Sequence, residues 1–117
     1  MILIAASLIA LATAPETTPS GTPVDEGIAQ PVIDEAVKVG ELSGVAQACG
    51  LDWQPHYDAY LAAKRKQKTT ELDMIFLAGY HGGAQVEAYN MVSKDCTQKQ
   101  RDDIQNALNE NIAKYTK

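Results

Sequence analysis

Only two cysteines occur in this chain, Cys49 and Cys96, and a bond between them would decide which distant segments lie side by side. It would close a loop of roughly 48 residues and stabilise the fold by about 4 kcal/mol in the chain-entropy model. The alternative is a pair of free buried thiols in a cytosolic protein, because disulfides persist in oxidising compartments. A redox-active pair is disfavoured, since the two residues do not form a Cys-x-x-Cys motif.

The N-terminal residues indicate whether the protein is exported to an oxidising compartment or stays in the cytosol. Residues 2–12 are apolar and uncharged, about as long as a signal-peptide core and shorter than the roughly 20 residues that span a bilayer. No Lys or Arg precedes this run, and the small-residue site at Ala14 is followed by Pro15. We predict a signal peptide over residues 1–14, with a retained N-terminal anchor or a buried helix as the alternative. Export to the periplasm or the exterior, without stable membrane insertion after signal removal, favours the disulfide.

The rest of the chain divides into a linker and a domain. Residues 15–30 are rich in Pro and Thr and poor in large apolar residues, which predicts a flexible linker. Residues 31–117 then form the folded domain. A formal net charge of -5 argues against a nucleic-acid partner. The one basic cluster, Lys64, Arg65, Lys66 and Lys68, suits the C-terminal end of a helix, where it complements the helix dipole.

Apolar residues three and four positions apart predict an all-α fold, a small helical bundle of four to five helices with one disulfide. The first helix is expected to begin at Pro31 and to end at Gly50. The second follows, starting between residues 52 and 55. Capping sequences at residues 70–73 and 97–100 predict the starts of the last two. We expect the second and third helices to form an antiparallel hairpin that the disulfide closes at its open end.

The third helix contains an unusual concentration of glycine. Gly79, Gly82 and Gly83 each cost roughly 1 kcal/mol relative to alanine in a helix interior. Either a neighbouring helix approaches closely, or the helix is kinked or broken at residues 81–83, which is the interpretation we favour. The face that carries these glycines is otherwise apolar and comprises Leu72, Ile75, Phe76, Gly79, Gly83 and Val86.

No catalytic or metal-binding motif stands out. His56 and His81 are the only histidines, and a metal site would have to recruit carboxylates such as Asp58 or Glu87, without any short-range ligand spacing. Ser43 has no nucleophile-elbow sequence around it. We therefore predict neither an enzyme nor a metal or other cofactor, and we expect the histidines to act at most as mild pH reporters.

The segment from Cys49 to Lys117 resembles the HdeA-type acid-stress chaperones of the bacterial periplasm. The resemblance lies in the export signal, the cysteine spacing, the sequence Asp95-Cys96-Thr97-Gln98-Lys99 and the amphipathic tail that follows it. The chain departs from this family in the extra helix before Cys49 and in the glycine cluster at residues 79–83. The resemblance implies an inactive dimer near neutral pH that loosens in strong acid, exposes apolar surface and holds denatured clients.

Two functional hypotheses follow. The first is a non-catalytic periplasmic protein that acts as an acid-activated chaperone, alone or as a homodimer, and binds denatured protein clients through Trp53, Tyr57, Phe76 and Tyr80. The second is a structural or interaction module, an accessory to a cell-envelope complex with one envelope protein as its partner. Acid-dependent exposure of apolar surface would distinguish the first from the second, and an enzyme that uses His56 or His81 is a distant third.

Overall fold

Four α-helices and no strand make up residues 27–117, the part of the chain that the computed structural model describes. The fold is therefore an all-α bundle with one disulfide, which confirms the predicted class. The predicted signal peptide over residues 1–14 and most of the linker over residues 15–30 lie outside the described residues. The helices are α1 (Gln30–Ala48), α2 (Gln54–Lys66), α3 (Glu71–Met91) and α4 (Gln98–Tyr115).

The helix ends follow from local hydrogen bonds that the sequence predicts. Gly50 has a φ of 75°, the left-handed conformation that glycine adopts most easily, and it ends α1. The Thr70 hydroxyl accepts a hydrogen bond from the backbone N–H of Asp73 at 3.1 Å, and this cap starts α3. Thr97 and Gln100 form a reciprocal capping box at the start of α4. The predicted starts of the last two helices are confirmed.

Helices α1 and α3 run parallel in close contact because α1 presents two glycines to α3. A Cβ atom added to Gly40 would lie 2.9 Å from the Ala84 Cβ, and one added to Gly44 would lie 2.8 Å from the Ala88 Cβ. Each would also collide with a backbone carbonyl of α3. Gly40 lies against Ala84 and, one turn later, Gly44 lies against Ala88, so the two helices run parallel. Side chains larger than hydrogen at these two positions would force the helices apart.

Helices α2 and α4 form the other extensive pairing and also run parallel to each other. His56 contacts Asn111, and one turn later Tyr60 packs edge-on against Tyr115 with ring centroids 5.4 Å apart. Both helices are antiparallel to α1. The main cluster of buried residues draws on all four helices and consists of Ala36, Val39, Ala59, Tyr60, Leu77 and Tyr115.

The predicted disulfide is confirmed, and it joins the end of α1 to the segment that precedes α4. Cys49 is the C-terminal cap of α1, and Cys96 precedes α4, with their Cα atoms 5.5 Å apart. Helices α2 and α3 run antiparallel, as expected, but α3 packs most extensively against α1. Because α1 and α3 are parallel, both end on the same side of the bundle, and the short connection after α3 carries Cys96 to Cys49.

Residues 81–83 do not break α3, because it is one continuous helix from Glu71 to Met91. The other explanation also fails within residues 27–117, since a Cβ added at Gly79, Gly82 or Gly83 would meet nothing within 4 Å. The glycine-bearing face points away from the bundle, while Leu77 and His81 lie on the buried side. We call this outward face the outer stripe of α3; it comprises Leu72, Ile75, Phe76, Gly79, Gly82, Gly83 and Val86.

Candidate functional site

Three polar side chains from three helices meet in the interior of the bundle. Ser43 of α1 and His56 of α2 are fully buried, and His81 of α3 is 2% exposed. The Ser43 Oγ lies 2.6 Å from the His56 Nε2 and 2.8 Å from the His81 Nε2. A single hydroxyl group therefore links both histidines of the protein. We call Ser43, His56 and His81 the buried histidine cluster.

The hydrogen bonds of this cluster are consistent with one arrangement of protons. Asn111 of α4 places its amide Nδ2 3.3 Å from the His56 Nδ1, so that the amide donates and this ring nitrogen accepts. The proton of neutral His56 is then on Nε2, which donates to the Ser43 Oγ. The Ser43 hydroxyl in turn donates to the Nε2 of His81. Four helices contribute one residue each to a directed chain of hydrogen bonds.

Burial strongly disfavours the charged form of both histidines. Loss of hydration lowers the pKa of His56 to about 4. Loss of hydration, with a smaller contribution from the nearby His56, lowers the pKa of His81 to about 4. The hydrogen-bond pattern acts in the same direction, because a proton on the His81 Nε2 removes the acceptor of the Ser43 hydroxyl. A proton on the His56 Nδ1 would likewise face the donor group of Asn111.

Aromatic side chains at the N-terminal end of α2, Tyr57 and the N-cap residue Trp53, lie against His81. The Tyr57 ring stacks on the His81 ring with centroids 3.7 Å apart, and the Trp53 ring centroid lies 5.9 Å from that of His81. Within the described part of the chain, no carboxylate contributes to the pKa of either histidine. Protonation of the cluster would therefore create positive charge without a neighbouring negative partner.

A second polar network lies further along the same helices. Lys64 is 6% exposed, and its Nζ forms an ion pair with the Glu35 Oε1 at 2.5 Å. The Tyr115 hydroxyl donates to the Glu35 Oε2 at 2.8 Å. Burial raises the pKa of Glu35, but the hydrogen bonds from Lys64 and Tyr115 and the charge of Lys64 outweigh it, so the pKa is lowered overall. Lys64 thus belongs to this network and not to an exposed basic patch.

The chemically reactive groups of the cluster are buried in the folded protein. A serine beside a histidine can act as a nucleophile, but Ser43 is 0% exposed, so its hydroxyl does not face solvent. A metal would have two imidazoles and one hydroxyl as ligands. Across residues 27–117, no group of three or more His, Cys, Asp or Glu side chains is placed to hold a metal ion. The two imidazoles of the cluster are groups that can take up and release protons.

The four residues predicted to bind clients are half-buried in the folded protein. Trp53 and Tyr57 lie next to each other over His81, with ring centroids 6.0 Å apart. Tyr80 packs against the main buried cluster, and Phe76 lies on the outer stripe of α3. A client role for these residues stays a prediction. Among the helices described, none is sufficiently long and apolar to cross a membrane.

The contact between Ser43, His56 and His81 was not predicted from the sequence. Sequence reasoning treated the histidines as separate because they are distant along the chain, and it assigned no role to Ser43. One signal was present: Ser43 lies four residues after Val39 and three before Ala46, on the buried stripe of α1. A polar residue on a buried stripe requires a hydrogen-bonding partner from another element.

Comparison with protein-family models, with curated proteins and with solved structures finds no match to this chain. Function is therefore inferred from the geometry of the described residues.

Proposed function

We propose that this protein is a non-catalytic periplasmic protein that is compact near neutral pH, loosens in acid and then binds denatured protein clients. The observation that carries the proposal is the buried histidine cluster, in which two neutral imidazoles share one hydroxyl and have no carboxylate partner among residues 27–117. Acid favours the unfolded or loosened state, because the histidines take up protons more readily when they are hydrated.

The Glu35 network acts in the same direction at lower pH. The pKa of Glu35 is lowered in the folded protein, so its contribution to stability is present above the ordinary carboxylate range and is lost as the pH falls through the folded pKa. Protonated Glu35 would leave the buried ammonium group of Lys64 without its counter-charge. The histidines would thus weaken the bundle first, and Glu35 would weaken it further.

Loosening at the buried histidine cluster would expose apolar surface while keeping the chain connected. Trp53 and Tyr57 pack over His81, so separation of α2 from α3 would expose both rings. The disulfide between Cys49 and Cys96 would still hold the end of α1 beside the start of α4, which limits the expansion of the loosened chain. It is also consistent with a location outside the cytoplasm.

The proposal is tested by measuring suppression of client aggregation at pH 7, 4 and 2.5, together with binding of an apolar-surface dye. We expect protection and dye binding in acid only, with the onset displaced to lower pH in a His56→Gln/His81→Gln double variant. The matched control is Asn106→Gln, an exposed position on α4, which should leave the onset unchanged. A protein that stays compact and inert at pH 2.5, or that loosens without protecting clients, would contradict the proposal and favour an envelope interaction module.

A further inference from the structure

Two neighbouring hollows on the surface form one groove along α1. The first has a volume of about 270 Å³ and lies between α1 and α3. The second has a volume of about 280 Å³ and lies between the end of α1, the segment after α3 and the start of α4. Val45 and Val92 line both hollows, so the two adjoin. Because Cys49 and Cys96 line the second hollow, we call the whole the disulfide groove.

The floor of the disulfide groove is apolar and open. Gly40 and Gly44 hold α1 close to α3, and the α3 residues beside this contact, Ala84 and Ala88, have small side chains that line the groove. Met91 also lines it and is 78% exposed, more than any other large apolar residue among residues 27–117. A methionine side chain is flexible and adapts to the shape of a partner. The groove therefore offers an apolar contact surface to solvent.

Every charged side chain that lines the disulfide groove is acidic. These residues are Glu41, Glu87, Asp95 and Asp103. The Lys99 Nζ lies 3.0 Å from the Asp103 Oδ2, whereas the other three carboxylates form no ion pair within residues 27–117. The three other hollows found in this part of the chain are each lined by lysine as well as by acidic residues. The disulfide groove differs from them in combining an apolar floor with unpaired negative charge at its rim.

We propose that the disulfide groove binds a short amphipathic helix of another protein, whose apolar face is flanked by lysine or arginine. Glu41, Val45 and Cys49 are spaced four apart on α1, so the groove follows this helix for about 12 Å, the length of roughly two helical turns. The apolar face of the partner helix would lie on Val45 and Met91, and its basic side chains would reach the carboxylates at the rim. The contact belongs to the folded protein near neutral pH and does not depend on loosening in acid.

The walls of the groove favour a helix over an extended peptide. Between α1 and α3 the groove is lined by helical residues, whose backbone N–H and C=O groups already bond within their own helices. An extended peptide would find no backbone partner there and would leave its own polar groups unpaired. A helix satisfies these groups internally, and the docking of an amphipathic helix in an apolar groove is a common mode of peptide recognition.

Charge disfavours the two occupants that this chain itself could supply. Residues 1–26 contain three acidic residues and no Lys or Arg, so their charge has the same sign as the rim. A second copy could offer the basic cluster at the end of α2, but the apolar residues before that cluster, Tyr60 and Leu61, are packed in or against the core. Neither segment presents apolar and basic side chains together. A different protein with the complementary pattern is therefore the expected occupant.

Fluorescence anisotropy with the full chain at pH 7 tests this charge complementarity. The probe is a labelled leucine–lysine amphipathic peptide of about 15 residues, one turn longer than the groove at each end, and the comparison peptide has glutamate in place of lysine. We expect a dissociation constant on the order of 10 μM for the lysine probe and binding at least about tenfold weaker for the glutamate peptide. Glu41→Gln/Glu87→Gln should weaken binding of the lysine probe roughly fivefold. The control Glu71→Gln/Glu110→Gln makes the same change in net charge at exposed positions outside the groove and should leave the affinity unchanged.

Met91→Gln tests the apolar contact without changing the charge. It should weaken binding of the lysine probe roughly fivefold, because an apolar side chain that the partner covers becomes polar. Ile75→Gln replaces an apolar side chain that is 65% exposed on the outer stripe of α3 and should have no effect. Circular dichroism verifies that each variant is folded.

Three outcomes would overturn the proposal. Equal weakening by the two pairs of charge variants would show a non-specific attraction to an acidic protein. Equal effects of the two apolar variants would place the probe outside the groove. Failure of the lysine probe to bind at about 1 mM protein would show that the groove does not accept such a helix, and sedimentation equilibrium of the full chain would then reveal whether a second copy fills it.

Discussion

Replacing His81 with glutamine should halve the pH dependence of stability. Both histidines of the cluster have a pKa lowered from 6.5 to about 4. Each shift corresponds to about 3 kcal/mol between the two protonation states, so the pair accounts for about 6 kcal/mol. A domain of this size has a typical stability of about 5–15 kcal/mol. The free-energy cost of protonating both histidines in the folded protein is therefore comparable to its whole free energy of unfolding.

The sign follows from the depressed pKa values. Above pH 6.5 both histidines are neutral in the folded and the unfolded chain, and their contribution to stability is complete. As the pH falls from 6.5 toward 4, the unfolded chain takes up protons that the folded chain does not, and stability declines. Two such groups predict a slope of about 2.7 kcal/mol per pH unit in the middle of this range. Below the folded pKa the histidine contribution levels off.

Glutamine at position 81 removes one titrating group while keeping a partner for Ser43. Its amide oxygen can accept the hydrogen bond that the Ser43 hydroxyl donates to the His81 Nε2. We expect the slope between pH 6 and pH 4.5 to fall to about 1.4 kcal/mol per pH unit. Ser43→Ala is the matched control, because it lowers stability at pH 7 by about 1–3 kcal/mol while both histidines stay buried and the slope persists.

The assay is urea denaturation at several pH values from 7.0 to 4.5, followed by circular dichroism and by the fluorescence of Trp53. Trp53 is the only tryptophan and lies beside His81, so its emission reports directly on the cluster. The range stops at pH 4.5 to limit the contribution from Glu35. The reasoning is refuted if wild-type stability is constant from pH 6.5 to 4.5, or if the His81→Gln variant keeps the full wild-type slope.

Three further predictions concern packing and cross-linking. Gly44→Ala should destabilise the protein by about 2 kcal/mol, because the added methyl group collides with α3. Gly79→Ala should instead stabilise it by about 1 kcal/mol, because alanine favours the helix and meets no neighbour there. Equal effects of the two variants in thermal melts would contradict the helix packing. Tyr60→Phe should be neutral or stabilising by up to about 1 kcal/mol, since the buried hydroxyl has no hydrogen-bond partner within residues 27–117. Tyr115→Phe should cost about 2 kcal/mol, because it removes the hydrogen bond to the Glu35 carboxylate. Chemical denaturation of the two variants distinguishes these outcomes. Reduction of the disulfide should lower stability by about 4 kcal/mol, and an unchanged denaturation midpoint after complete reduction would refute this estimate.

The fold class and the helix boundaries were predictable because their causes are local. The cap at Thr70, the capping box at Thr97 and the positive φ at Gly50 each depend on residues only a few positions apart. The disulfide was also predictable, since only two cysteines are present. That α3 packs mainly on α1 was not predictable, because this pairing depends on glycine contacts that no local pattern contains.

Two pairs of glycines illustrate the limit of sequence reasoning. Gly40 and Gly44 have the same spacing as Gly79 and Gly83, yet a helix packs against the first pair, and nothing in the described range covers the second. The spacing shows that each pair shares one helix face, but not what lies against that face. Sequence reasoning examined the exposed pair and passed over the buried one.

The sequence by itself determined that this chain forms capped helices joined by one disulfide, because backbone hydrogen bonds and turns depend on near neighbours. Only the tertiary structure decided that Ser43, His56 and His81 share one hydrogen-bond network in the interior. These residues come from three helices, and their meeting depends on how whole helix faces pack. The environment of an ionisable group, and hence its pKa, is set by that packing and not by its neighbours along the chain.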